Sequence, residues 1–138
     1  MFGAKVQIAA LEKGLDFDLV MVEYDSQRGY DPKHPDVLRI NPKRQVPVLV
    51  HADLELFDST QIFEYLEDLR PTPVLWPRDI RQRARARRLE HQSDEVYFPH
   101  VIRLMSLQDN LGDPIAVTNI EAAQAYYIQM DDILTKST

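Results

Sequence analysis

The chain has 138 residues, 44% of them hydrophobic, and its 22 acidic side chains outnumber 16 Lys and Arg to give a formal net charge of −6. That composition is ordinary for a soluble globular protein, and no apolar run approaches the ~20 residues a membrane-spanning helix needs. The acidic balance argues against general affinity for nucleic acid or anionic membranes, and the absence of cysteine excludes disulfides, a thiol nucleophile and thiolate metal ligands within these residues.

Phe2 to Lys13 sets Val6, Ile8, Ala9 and Leu11 near helical spacing, and Gly14 follows as a C′ residue, so a first helix is expected there. Phe17 to Val22 is rich in strand formers and reads as a strand, whereas Asp25 to Pro35, polar with Gly29, Pro32 and Pro35, reads as a loop. A short helical turn is expected over Val37 to Ile40. Val48 to Val50 and Leu54 to Phe57 read as two strands of an antiparallel hairpin joined by Ala52-Asp53. Ser59 to Leu69 carries Ile62, Phe63, Leu66 and Leu69 on one apolar face and is the next helix. Three prolines in the eight residues Arg70 to Pro77 mark a linker. Beyond it Asp79 to Leu107 is charged and helical with a bend expected near Pro99, and Ile120 to Leu134 is a further helix. This order predicts an α/β thioredoxin-like domain over residues 1–75 followed by an all-α helical domain over residues 78–138.

The chemistry concentrates between Asn41 and Thr60. Pro47 opens an apolar run, removes a backbone donor and can hold a cis bond, leaving Val46 with backbone groups that an extended ligand could pair. Asp58-Ser59-Thr60 begins a helix whose N-terminal amides suit a carboxylate. Together they would hold two ends of one small peptide, although Asp58-Ser59 is also a serviceable helix cap. Elsewhere the plainer readings come first. Arg81, Arg83, Arg85, Arg87 and Arg88 are flanked by Asp79, Glu90, Asp94 and Glu95 and read as a solvated helix face. His34, His51, His91 and His100 lack metal-ligand spacing, so no metal site is assigned. Tyr97-Phe98 and Tyr126-Tyr127 read as helix-packing core, with an apolar acceptor pocket as the sharper alternative.

The motif, order and spacing from Phe2 to about Leu107 resemble the glutathione-binding half of the cytosolic glutathione transferases. The resemblance implies that Val46 meets the cysteinyl backbone, that Pro47 is cis, and that Asp58 and Ser59 grip the γ-glutamyl ammonium and carboxylate. Gln45 falls near the glycyl carboxylate. Arg44 stands where many members have Gly, which implies an altered loop before Val46. The resemblance also calls for a strand ahead of the first helix, for a Ser, Cys or Tyr after it that activates the thiol, and for further C-terminal helices. Within these residues Met1 takes the position after that nucleophile, so the chain is expected to be part of a longer protein and to fold poorly alone, and no catalytic residue is assigned. The amides of Phe2 and Gly3, opening the first helix, are the remaining candidates for favouring a thiolate.

By the same resemblance the protein conjugates glutathione, its co-substrate, to a small hydrophobic electrophile or uses it as a reductant. It would be a cytoplasmic homodimer joined through Ser59 to Leu69 and Arg78 to Leu107. The likeness extends to stringent starvation proteins, which share the Asn-Pro, Val-Pro and acidic-Ser pattern. That implies an alternative, a non-catalytic protein of the same fold that contacts RNA polymerase or another protein.

Overall fold

The computed structural model describes residues 2–23 and 33–136 and divides into two compact units, Met1–Leu75 and Trp76–Thr138. The first contains α1 (Phe2–Glu12), α2 (Pro35–Ile40), β1 (Val48–His51), β2 (Leu54–Phe57) and α3 (Ser59–Leu69). α1 stops where Gly14 takes φ 57. The Gly14 amide bonds Leu11 O at 2.9 Å and the Leu15 amide bonds Ala10 O at 2.9 Å, the paired bonds of a Schellman cap. Ala9 and Ala10 of α1 are buried against Ile62 and Leu66 of α3, with Leu49 and Leu56 of the hairpin packed on this cluster. Small side chains on α1 suit a close approach of the two helices.

Lys13 ties the far ends of these helices together. Its side chain is 0% exposed and its ammonium pairs with Glu67 at 3.1 Å. It donates to Arg70 O at 2.7 Å and Pro73 O at 2.9 Å. Arg70 answers by donating to Lys13 O at 2.7 Å and Gly14 O at 2.6 Å, while Glu67 accepts from the Leu75 amide at 2.7 Å. The proline-rich segment therefore has its carbonyls held by a buried cation, which satisfies groups that no regular element pairs.

Phe17 to Val22 is not a strand. Phe17, Leu19, Val20 and Met21 are instead between 42 and 72% exposed. A strand exists only where a neighbour takes its backbone groups, and the one sheet among the described residues is β1 with β2. Most of the loop expected from Asp25 to Pro35 lies outside the described residues, and Pro35 itself is the first residue of α2. The hairpin register is Val48 with Phe57, Leu49 with Leu56, Val50 with Glu55 and His51 with Leu54. Arg39 of α2 braces the hairpin through Glu55 and also pairs with Asp36 at 2.9 Å.

The second unit comprises α4 (Ile80–Gln92), a π-helical stretch Ser93–Tyr97, α5 (Phe98–Ser106) and α6 (Pro114–Thr135). The irregularity expected near Pro99 is this π stretch, which ends two residues before it. Gln92, Ser93, Tyr97 and Phe98 all hold right-handed helical dihedrals, so Pro99 lies within a continuous helical run, just past the π stretch. α6 begins well before the expected Ile120, because Asp113 caps the Ile115 amide at 2.8 Å. Thr118 and Asn119, loop-like by composition, bond back to Pro114 O at 2.9 Å and Ile115 O at 2.7 Å within the helix. Of the arginine run on α4, Arg83 donates to Pro77 O at 2.9 Å and Arg87 lies 5.6 Å over the Trp76 ring. No residue of α4 is buried.

Candidate functional site

Pairing of Val48 with Phe57 brings Val46-Pro47 and Asp58-Ser59 side by side at the open end of the hairpin. The Val46–Pro47 peptide is cis. Asn41, 4% exposed, shapes the loop leading in: its Nδ2 donates to Gln45 O at 2.7 Å, its Oδ1 accepts from the Lys43 amide at 2.9 Å, and its carbonyl accepts from the Arg44 amide at 2.8 Å. Arg44 takes φ 56, the left-handed region that glycine adopts without steric cost. The side chain is thus accommodated by strain in a glycine-like backbone. We expect Arg44→Gly to raise stability by about 0.5–1 kcal/mol in urea unfolding, the left-handed penalty less the added freedom of the unfolded chain.

The Val46 amide and carbonyl have no backbone partner among the described residues. Across from them Asp58 caps α3: its Oδ1 accepts from the Thr60 amide at 3.0 Å and the Gln61 amide at 3.2 Å, and its carbonyl accepts from the Ile62 amide at 3.0 Å. Asp58 holds φ 74 and ψ 127, a sparsely populated conformation of the kind that persists where surrounding structure enforces it. With the next two amides taken by the cap, the Ser59 amide and hydroxyl have no acceptor among the described residues, although Ser59 is only 5% exposed. A nearly buried donor pair at the positive end of a helix calls for an anionic acceptor. Gln45 is exposed beside this end of the hairpin.

The family model for the glutathione S-transferase N-terminal domain matches residues 1–69. The chain belongs to the glutathione S-transferase family. It is 39% identical over 123 residues to glutathione S-transferase Z1 of Arabidopsis thaliana, covering 83% of this chain and 52% of that protein. It is also 33% identical over 141 residues to a stringent starvation protein A homolog of Coxiella burnetii, covering 100% of this chain and 61% of the relative. Among solved structures, a glutathione S-transferase from Methylobacillus flagellatus with glutathione bound superposes with a TM-score of 0.80 at 30% identity, covering 98% of this chain and 66% of that one. The chain spans about half the length of the curated relatives it matches. Its fold is accordingly the thioredoxin-like α/β domain followed by helices that transferases share.

Sequence reasoning missed one residue beside this end of the hairpin. Lys5, half-buried in the first turn of α1, donates from Nζ to Thr60 Oγ1 at 2.9 Å. The available signal is the spacing Lys5, Ala9, Lys13, which puts both lysines on the stripe of α1 that buries Ala9 against α3.

In the helical unit of this transferase relative the aromatic residues pack on one another. Tyr97 stacks on Tyr126 at 4.6 Å, meets Tyr127 edge-on at 5.3 Å, and donates from its hydroxyl to that of Tyr127 at 2.5 Å. Burial, followed by the bond to Tyr127, pushes the Tyr97 pKa up to about 12. Because the folded form holds this proton more tightly than an unfolded chain with pKa 10.0, the stability it contributes is complete below pH 10.0 and is lost as pH rises through about 12. We expect one phenol whose absorbance at 295 nm titrates later than the rest, and Tyr97→Phe removes that late component.

Proposed function

We propose that the protein binds glutathione at the open end of the hairpin and acts as a transferase, joining its sulfur to a small hydrophobic electrophile or spending the thiol as a reductant. The observation that carries this reading is the juxtaposition, by strand register, of Val46's unpaired backbone with Ser59's nearly buried donors. Their arrangement suits a short peptide with a polar head. Val46 would pair with the cysteinyl backbone as an added strand does. The Ser59 amide and hydroxyl would take the γ-glutamyl carboxylate, and the second carboxylate oxygen of Asp58 would meet the ammonium. Gln45 would lie toward the glycyl carboxylate, and Pro47, which lacks an amide hydrogen, keeps the strand from closing on itself at Val46.

In conjugation the cysteinyl S–H loses its proton to solvent or a base. The thiolate then forms a carbon–sulfur bond as the electrophile's leaving group departs with its electron pair. The Phe2 and Gly3 amides, first in α1, are the groups of this chain that would favour the thiolate. A Cβ at Gly3 would meet nothing within 4 Å, so that backbone is open to a ligand. We infer a cytoplasmic homodimer joined through α3 and residues 78–107.

The likeness to the Coxiella relative along the whole chain favours a second reading, a non-catalytic protein of this fold that contacts RNA polymerase or another protein. Retention on immobilised glutathione, with elution by free glutathione, supports the first reading. Passage through the column without delay contradicts it and advances the second.

A further inference from the structure

We propose that the outer face of α4 is a docking surface for an acidic helix of a partner protein, gripped by Arg81, Arg85 and Arg88. The inference goes beyond the glutathione site and does not depend on it. The structure sorts the arginines of α4 into two kinds. Arg83 donates to Pro77 O at 2.9 Å and to Arg78 O at 3.3 Å, and Arg87 lies 5.6 Å over the Trp76 ring. Arg81, Arg85 and Arg88 are exposed, and their guanidinium groups meet no carboxylate or other hydrogen-bonding partner among the described residues.

Their spacing puts all three on one stripe, about 10 Å long at the rise of an α-helix. Arg85 therefore stands one turn from a like charge on either side, an arrangement that weakens an isolated helix. The acids near them in sequence do not relieve it. Asp79 spends a carboxylate oxygen on the Arg81 and Gln82 amides, while Glu90 falls two residues from Arg88 and five from Arg85, off the stripe. α4 buries no residue, so packing does not explain the unmatched charge on this face.

Charge complementarity names the occupant. Guanidinium forks take carboxylates through pairs of parallel hydrogen bonds, and a helix with Glu or Asp at i, i+4 and i+7 presents three carboxylates at matching heights. Nucleic acid fits less well: the chain has a net charge of −6, and this short stripe falls well below the roughly 6–10 phosphate contacts of a strong DNA binder. A second copy is the poorer occupant too, because the cores of homodimer joints are apolar and depleted of charge.

The test follows the fluorescence anisotropy of two alanine-based helical peptides of identical composition added to the full chain. One carries Glu at i, i+4 and i+7, and the other spreads the same glutamates around the helix. The first should bind at least about fivefold more tightly than the second, and more weakly as salt rises. Arg81→Gln combined with Arg88→Gln should weaken it at least about tenfold without lowering the thermal midpoint, whereas Lys43→Gln combined with Arg103→Gln, the same loss of charge, should change it by less than about twofold. Equal binding of the two peptides, equal loss in the two double variants, a lowered midpoint in the arginine variant, or no binding of either peptide overturns the inference. Tighter binding of single-stranded oligouridylate than of the first peptide assigns the stripe to nucleic acid, and a smaller sedimentation mass for the arginine variant assigns it to a second copy. Either result also overturns it.

Discussion

Ser59→Ala is expected to weaken glutathione binding by about 10- to 100-fold, the loss of a hydrogen bond from a neutral donor to a charged group at a nearly buried position. The fold should survive the change, because the α3 cap is built by Asp58 and not by Ser59. That separation gives the substitution its value. If Asp58-Ser59 served only to start a helix, removing the serine hydroxyl would leave calorimetric affinity unchanged. Asp58→Ala is a less clean probe, since it also removes a cap worth about 1 kcal/mol.

Lys13→Ala carries the largest expected effect on stability, a loss of about 3–5 kcal/mol in urea unfolding. The substitution strands the Glu67 carboxylate, whose side chain is 11% exposed, and leaves the Arg70 and Pro73 carbonyls without their donor. Against a total of about 5–15 kcal/mol for a typical domain, such a loss approaches unfolding. Lys13→Met combined with Glu67→Leu should recover part of it, because replacing both members of a buried pair with apolar side chains removes the unpaired charge. A loss below about 1 kcal/mol for Lys13→Ala would mean that the clamp is not what joins α1, α3 and the proline-rich segment.

The parts of this fold that follow local rules were legible in the sequence. Two apolar runs around Ala52-Asp53 make the hairpin, and an acidic cap ahead of Ile62 and Leu66 makes α3, because each depends on residues a few positions apart. The hairpin register in turn made Val46 and Ser59 neighbours, so the candidate site could be read from the same twenty residues. Phe17 to Val22 misled because strand propensity is expressed only with a pairing partner, and the described sheet offers it none. The irregularity expected near Pro99 takes the form of the π stretch Ser93–Tyr97, which ends two residues before a proline inside a continuous helix. Arg44 was expected to reshape its loop, yet it adopts the glycine-like conformation under strain. Lys5 of α1 and Lys13 just past its end were opaque for a different reason. Lys5 finds Thr60 across 55 residues and Lys13 finds Arg70 across 57, and no local pattern encodes partners at that separation.

One glutathione molecule is proposed to bridge Val46 and Ser59. The most direct test of that bridge is a titration of the isotopically labelled protein with reduced glutathione, followed through backbone amide chemical shifts. Saturable shifts that are largest at Val46, Ser59 and Thr60, and that vanish at Ser59 and Thr60 with a ligand lacking the γ-glutamyl group, are the predicted result. Saturable shifts that avoid both the Val46 loop and the start of α3, or no saturable shifts at all, would show that no ligand bridges them.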